Sequence, residues 1–291
     1  MKEIAAVVTM VKDDHDFLRR WVKYYGDIFG REALYVFAHG GEPEISEIAA
    51  GCNVMRLPPG YDPKWAGRRA RLFGNMARAL QNYFDFVLVT DVDEFIVVDP
   101  ETGFDLRTFL TRRRTGSVIS PIGVEVVHRP QEEPEPIDTH ILGPRRFVRF
   151  SSFYCKPIIL GTPQVSFARG QHYSTHPELR IFQRLYLFHM KFCDRHDSQA
   201  LLESRAQTIS TAGYGEESET ELSTRWNKLD GKEEAFLDRL ANLPKIDGWD
   251  FGPEMTHMQD TWGPRDNELY HFEKLIGKEV REVPARFFGI V

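Results

Sequence analysis

Phe86-Val87-Leu88-Val89-Thr90-Asp91-Val92-Asp93-Glu94-Phe95 is the stretch on which the reading of this chain turns. Residues 85–90 form its most continuous apolar segment, and an uninterrupted apolar run suits a strand covered on both faces, as in a parallel sheet. Such a strand carries Asp91 and Asp93, two carboxylates one residue apart, to its C-terminal end.

The residues before it alternate between two periods. Residues 4–10 are a short β-rich run, after which Phe17, Leu18, Trp21, Val22 and Tyr25 recur at helical spacing until Gly26 and Gly30 end the pattern. Residues 33–38 read as a strand again, Pro43 opens a helix with Ile45, Ile48 and Ala49 on one face, and Gly51 closes it. Residues 53–57 are a third strand. A longer helix spans 65–83, with Leu72, Phe73, Met76, Leu80 and Tyr83 on one stripe. Strand–helix–strand repeated three times predicts a parallel sheet, because these crossovers are right-handed and lay the helices on the sheet faces. Ligands of such sheets bind beyond the carboxyl ends of the strands, which here gathers residues 10–14, 38–41 and 91–93 along one edge.

The second half reads differently. A helix is expected at 105–114, β-rich runs at 117–127, 154–160 and 184–192, and a helix at 197–209. Residues 131–138 are rich in Pro and acid, so they form a surface loop or a lid on the acceptor side. Residues 210–220 read as a connector; Asp230 and Glu233 form a capping-box pattern for a helix stopped by Pro244. The aromatic residues Trp249, Trp262, Phe272, Phe287 and Phe288 would pack the C-terminal extension.

Composition excludes several classes. The chain has 291 residues with 37 Lys plus Arg against 43 Asp plus Glu, a net charge of −6 that disfavours a sequence-independent nucleic-acid binder. Twenty-one Phe, 10 Tyr and 5 Trp supply the large apolar side chains that disordered chains lack. No run approaches the roughly 18 apolar residues of a membrane-spanning helix. Cys52, Cys155 and Cys193 are odd in number and far apart, so neither a disulfide framework nor a zinc site is indicated and a reducing cytoplasm is expected. The residues following 11 do not resemble a signal-peptide cleavage site.

Two carboxylates at the end of an apolar strand offer the oxygen ligands that suit Mg²⁺ or Mn²⁺ bridging to phosphate oxygens. The alternative is a solvated turn. His172 and His176 have the i, i+4 spacing of a zinc pair, but Pro177 and Ser174-Thr175 argue against the helix such a pair needs.

The order of elements, the run 86–95, and the opening Val8-Thr9-Met10-Val11-Lys12-Asp13-Asp14 ahead of the helix with Leu18 and Trp21 resemble a glycosyltransferase of the GT-A fold. They are most similar to a family-2-like bacterial group whose metal motif reads D-x-D-E-F. The segment Arg68 to Asn75, Lys156-Pro157-Ile158-Ile159 and Leu187-Phe188-His189-Met190-Lys191-Phe192 match places where that group carries Arg and Asn, a Lys-Pro pattern and a metal-ligating His. The likeness covers residues 4–207. The chain departs from the group at Asp13-Asp14, where Asn-Glu is usual, and at Ala38-His39-Gly40-Gly41, where the group has a turn with Asp and Ser.

The resemblance implies an α/β, GT-A-like (Rossmann-like) fold with a mainly parallel sheet flanked by helices. It implies a transferase domain over 1–210, with a donor half to 110 and an acceptor half from 111, and a mostly helical C-terminal extension over 211–291. The implied reaction transfers a sugar from a nucleoside diphosphate sugar, UDP-linked by preference, to a hydroxyl of a glycan or lipid-linked acceptor. Its setting would be the cytoplasm, with the inner face of the membrane as a place of contact. Mn²⁺ or Mg²⁺ would sit on Asp91, Asp93 and His189, and the donor would contact Met10, Val11, Asp14, Arg68, Arg71, Asp91, Val92 and His172. Arg68 and Arg71 would add positive charge beside the diphosphate, their alternative being a solvated helix face. His172 would lie in a loop over the donor. An inverting reaction needs a carboxylate base, for which Glu125, Asp194 and Asp138 are candidates that no spacing rule separates. Two other classes remain: a phosphatase with Asp91 as nucleophile and Asp93 as acid, and a catalytically silent nucleotide-sugar-binding module.

Overall fold

The protein is described here by a computed structural model covering residues 2–60, 65–167, 169–200, 233–265 and 268–291. The N-terminal half is the α/β unit expected. Strands β1 (Glu3–Val11), β2 (Leu34–His39), β3 (Asn53–Leu57) and β4 (Phe84–Val89) alternate with helices α1 (His15–Phe29), α2 (Pro43–Ile48) and α3 (Trp65–Leu80). β1 pairs in parallel with β2 and β4, and β2 with β3, giving the Rossmann-like order β3-β2-β1-β4. Helix α1 buries Leu18, Trp21, Val22, Tyr25 and Phe29, the stripe its spacing requires.

The sheet continues past β4. Strands β6 (Val118–Val127), β7 (Phe147–Phe150), β8 (Ile159–Leu160) and β9 (Arg180–Phe192) join it, with β8 antiparallel to both β4 and β6, β7 antiparallel to β6, and β9 parallel to β6. All ten residues of β6 are buried. Among the strands the sequence pattern did not show is β5 (Glu94–Val98), which starts directly after Asp93 and pairs antiparallel with β9.

Other boundaries moved for local reasons. The expected strand over 154–160 pairs only at its last two residues, because Ser152–Tyr154 turns as a 3-10 helix and Pro157 has no N–H to give a ladder. The helix expected at 105–114 is α4 (Leu106–Thr111), capped by Asp105 Oδ1 accepting from the Thr108 amide at 2.7 Å. Residues 195–200 are helical; the remainder of the helix expected at 197–209, the connector 210–220 and Asp230 lie outside the described residues. Loop 131–138 is tied down: buried Glu133 accepts from the Arg129 amide at 2.8 Å and from the Arg146 amide, and Arg20 donates to the Asp138 carbonyl at 2.6 Å.

The C-terminal segment contributes α5 (Glu233–Ala241), α6 (Gly252–Asp260), the paired strands β10 (Gly263–Pro264) and β11 (Tyr270–His271), and β12 (Arg281–Glu282), which adds to β7. It packs on β9 through Trp249, Phe251 and Phe287, whose rings lie 5.3, 6.0 and 5.6 Å from that of Tyr186. Arg286 closes the contact with a two-pronged bond to Asp99, at 2.7 and 2.9 Å.

Candidate active site

Helix α1 fixes the turn that holds the two aspartates. Trp21 Nε1 donates to Thr90 Oγ1 at 2.9 Å, and Tyr25 OH donates to the Glu94 carbonyl at 3.1 Å while accepting from the Ile96 amide at 2.9 Å. The chain is thereby pinned on both sides of Asp91-Val92-Asp93. Within the turn, the Glu94 amide donates to the Asp91 carbonyl at 3.1 Å, and Glu94 Oε2 accepts from the Asp91 amide at 3.1 Å.

Strand register then brings distant residues together. β5 and β9 place Glu94 opposite His189, and β9 and β6 place His189 opposite Glu125, so the three form one row across three strands. Residues directly opposite share a face of the sheet. His189 Nε2 lies 3.4 Å from Asp93 Oδ2, and its Nδ1 lies 3.4 Å from Glu125 Oε1.

The segment after β7 lies across this row. Gly123 in β6 accepts the close approach of residues 151–155: its amide donates to Cys155 Sγ at 3.1 Å, and its carbonyl accepts from the Ser151 amide at 3.0 Å. The segment presents Tyr154, whose ring stacks on His189 at 3.9 Å, and Lys156, whose Nζ lies 3.0 Å from Asp91 Oδ2 and 2.5 Å from Glu94 Oε1. From the other side Arg69 of α3 donates to Asp91 Oδ1, its guanidinium lying 4.9 Å from the centre of the Phe73 ring.

The electrostatics follow from burial and pairing. Burial alone would raise the Asp91 carboxyl, but Arg69 and Lys156 hold it well below the usual carboxylate range. Glu94 is raised, chiefly by burial. Burial opposes the Lys156 ammonium, yet Asp91 and Glu94 outweigh it and raise its pKa. For Glu125 burial is outweighed by Arg149 and His189, which bring it down to about 2. Burial also opposes the His189 imidazolium, and Asp93 and Glu125 push it up to about 9.

The expected trio Asp91, Asp93 and His189 therefore divides. Asp91 is engaged by two cations, while Asp93 and His189 face one another. Among the described residues no three His, Cys, Asp or Glu side chains form a metal-holding group. The donor set still fits Mn²⁺ or Mg²⁺, because these ions are commonly held by one or two protein ligands and complete their shells from substrate phosphates and water. Glu125 also lies on the Nδ1 side of His189, 3.4 Å away, which leaves Nε2 as the nitrogen that would take an ion.

The remaining expected residues are placed as follows. Met10 and Val11 end β1, with Val11 in register with Ala38 of β2. Asp14 occupies the N-cap position of α1 but makes no side-chain capping bond. Val92 is 6% exposed in the core. His172 follows a short 3-10 turn, and its Nδ1 donates to the Phe153 carbonyl at 2.7 Å, beside Tyr154. Arg68 and Arg71 are exposed on α3, and it is their neighbour Arg69 that reaches Asp91. Glu125 is 2% exposed, with Oε2 accepting from Arg149 Nε at 2.6 Å and Oε1 from Tyr154 OH at 3.2 Å. Asp194 accepts from Arg145 Nη2 at 3.0 Å and from the amide of His196 at 2.9 Å. Both carboxylates are thus partnered within the protein, Glu125 buried and Asp194 partly exposed. Asp138 is exposed, and its Oδ1 accepts from the His140 amide at 3.3 Å. Arg69, Lys156, Arg149 and Tyr154 were not identified as site residues from the sequence, although Lys156-Pro157 carried a usable signal. A separate cavity of about 540 Å³, lined by Tyr24, Ile28, Val97, Phe104 and Leu106, contains none of these groups.

No protein-family model matches the sequence, and no curated protein matches it. Among solved structures, mannose-1-phosphate geranyltransferase from Thermus thermophilus aligns over 52% of this chain at 16% identity and a TM-score of 0.28. The alignment spans 49% of that protein's length. At that level of overlap the reading of the site rests on its own residues.

Proposed function

We propose that the chain is a glycosyltransferase that moves a sugar from a nucleoside diphosphate sugar, UDP-linked by preference, to an acceptor hydroxyl of a glycan or lipid carrier. The observation that carries this reading is the facing pair Asp93 and His189, 3.4 Å apart, next to an aspartate already flanked by two cations at the carboxyl end of β4. Phosphate-bearing ligands of parallel sheets bind at this edge.

The residues divide the work. Asp93 and His189 would hold Mn²⁺ or Mg²⁺, which when bound supplies Lewis-acid neutralisation of the departing diphosphate. Arg69 and Lys156 place two further positive charges at the same spot, and the guanidinium fork suits phosphate oxygens. Asp91 keeps those cations oriented before donor binding. Met10, Val11 and Asp14 edge the nucleoside side, and His172 lies on the side of the Ser152–Tyr154 turn. Among the described residues no helix is long and apolar enough to cross a membrane.

The test is turnover. Release of nucleoside diphosphate from UDP-, GDP- and dTDP-sugars is measured with Mn²⁺, alongside hydrolysis of a generic phosphomonoester. Metal-dependent release that disappears in Asp93→Ala supports the proposal. Phosphomonoester turnover that depends on Asp91, with no release from any nucleotide sugar, rejects it in favour of a phosphatase.

A further inference from the structure

His189 is held from behind by groups that the reaction above does not use. Glu125 Oε1 faces its Nδ1 at 3.4 Å, and the Tyr154 ring stacks on the imidazole with centroids 3.9 Å apart and planes 18° from parallel. Tyr154 OH donates to the same Glu125 oxygen at 3.2 Å, and Arg149 Nε donates to the other at 2.6 Å. Glu125 is 2% exposed and His189 is 4% exposed.

Stability alone gives no reason for this arrangement. A buried carboxylate–guanidinium pair loses its hydration, and apolar residues of the same volume commonly serve a core as well or better. The geometry has a more specific consequence. An imidazole turns about two side-chain bonds and has two nitrogens; a carboxylate at Nδ1 fixes both the ring orientation and the nitrogen that carries hydrogen. With Nδ1 on the Glu125 side, Nε2 is the nitrogen turned toward Asp93 and the one an ion would take once it gives up its proton.

We infer that Glu125, Arg149 and Tyr154 are positioning residues that set His189 as a metal ligand: Glu125 selects the nitrogen, Tyr154 fixes the ring plane, and Arg149 anchors Glu125. The inference rests on the reading of Asp93 and His189 as the metal pair. It gives Glu125 a role that acts through His189 rather than on substrate. It also gives a function to the close approach at Gly123, which brings Tyr154 onto the ring.

The test is a double-mutant cycle read by Mn²⁺ affinity, using electron paramagnetic resonance of free Mn²⁺ with the full chain. The variants are Asp93→Ala, His189→Ala, Glu125→Gln, Glu125→Gln with His189→Ala, Tyr154→Phe and Tyr154→Leu. Glu125→Gln is expected to weaken Mn²⁺ binding roughly 10- to 100-fold, the usual effect of losing an outer partner of a ligating histidine. In the His189→Ala background it is expected to change nothing further. Tyr154→Phe, which keeps the stack, is expected to lose less than Tyr154→Leu, and this pair decides the matter if Glu125→Gln does not fold. Equal losses from Glu125→Gln in both backgrounds, or no loss while His189→Ala abolishes binding, overturn the inference and leave the metal pair intact. Failure of the unaltered chain to bind Mn²⁺, or indifference to Asp93→Ala, rejects the metal reading itself and the inference with it.

Discussion

His189 Nε2 stands 3.4 Å from Asp93 Oδ2, across a strand pairing that begins at the very next residue, Glu94. The proximity depends on β9 lying between β5 and β6, and on a charged cluster that keeps the turn in place.

Lys156 holds that cluster together. It is 2% exposed and bridges Asp91 and Glu94, so Lys156→Met would leave the fully buried Glu94 carboxylate without its cation, while Asp91 keeps Arg69. Breaking a buried pair in this way costs about 3–5 kcal/mol. Urea unfolding should show a loss of this size; a change near zero would mean that the cluster relaxes without its cation.

Among the three neighbouring arginines, Arg69 should matter most to nucleotide binding. It alone of the three is ion-paired to Asp91, whereas Arg68 and Arg71 lie exposed on α3. Calorimetric titration of UDP should find the largest loss of affinity in Arg69→Ala, roughly ten- to 150-fold given that a charge-assisted bond contributes about 1.5–3 kcal/mol. Equal effects at all three would favour a diffuse field over a specific contact.

The fold was legible where one local period ran long enough. The parallel units β1 to β4 and the stripe of α1 follow from apolar spacing, and the D-x-D turn from its position after the apolar run. The row Glu94–His189–Glu125 was not legible, because register across three strands is a property of pairing and leaves no trace in local pattern. Arg69 was overlooked for a similar reason: position 69, in one run with Arg68 and Arg71, is distinguished only by the direction in which its side chain leaves the helix. Glu125 was recognised as a candidate, but its burial and its bond to Arg149 come from strand packing and could not be read from local pattern.

Acid should loosen the C-terminal segment. Burial raises the Asp99 carboxyl, but its bonds to Arg286 and to the Glu101 amide hold it below the ordinary value of 3.8. A depressed carboxyl contributes stability that is present above its unfolded value and lost as pH falls through the folded one. The contribution is therefore intact at neutral pH and lost below 3.8. Asp99→Asn should lower stability at pH 7 and flatten the decline below that value, followed by the fluorescence of Trp249. An unchanged acid limb would contradict the assignment.

Gly123 tests the packing behind the site. A Cβ there would lie 2.6 Å from both the Cys155 nitrogen and the Ser151 carbonyl oxygen, backbone atoms that cannot turn aside. Gly123→Ala should destabilise the fold by about 1–3 kcal/mol, the usual penalty for overpacking. It should also disturb the Tyr154 stack on His189, visible as a change in near-ultraviolet circular dichroism. A variant with native stability and spectrum would show that the segment shifts freely.

The central claim is that Asp93 and His189 bind a divalent ion together with a nucleotide sugar. Thermal unfolding with UDP-, GDP-, CMP- and dTDP-sugars, each with and without Mn²⁺, tests it most directly. One nucleotide sugar should stabilise the chain only when Mn²⁺ is present, and Asp93→Ala and His189→Ala should each remove the effect while remaining folded. Stabilisation that is independent of the metal, or that persists in Asp93→Ala, would contradict it.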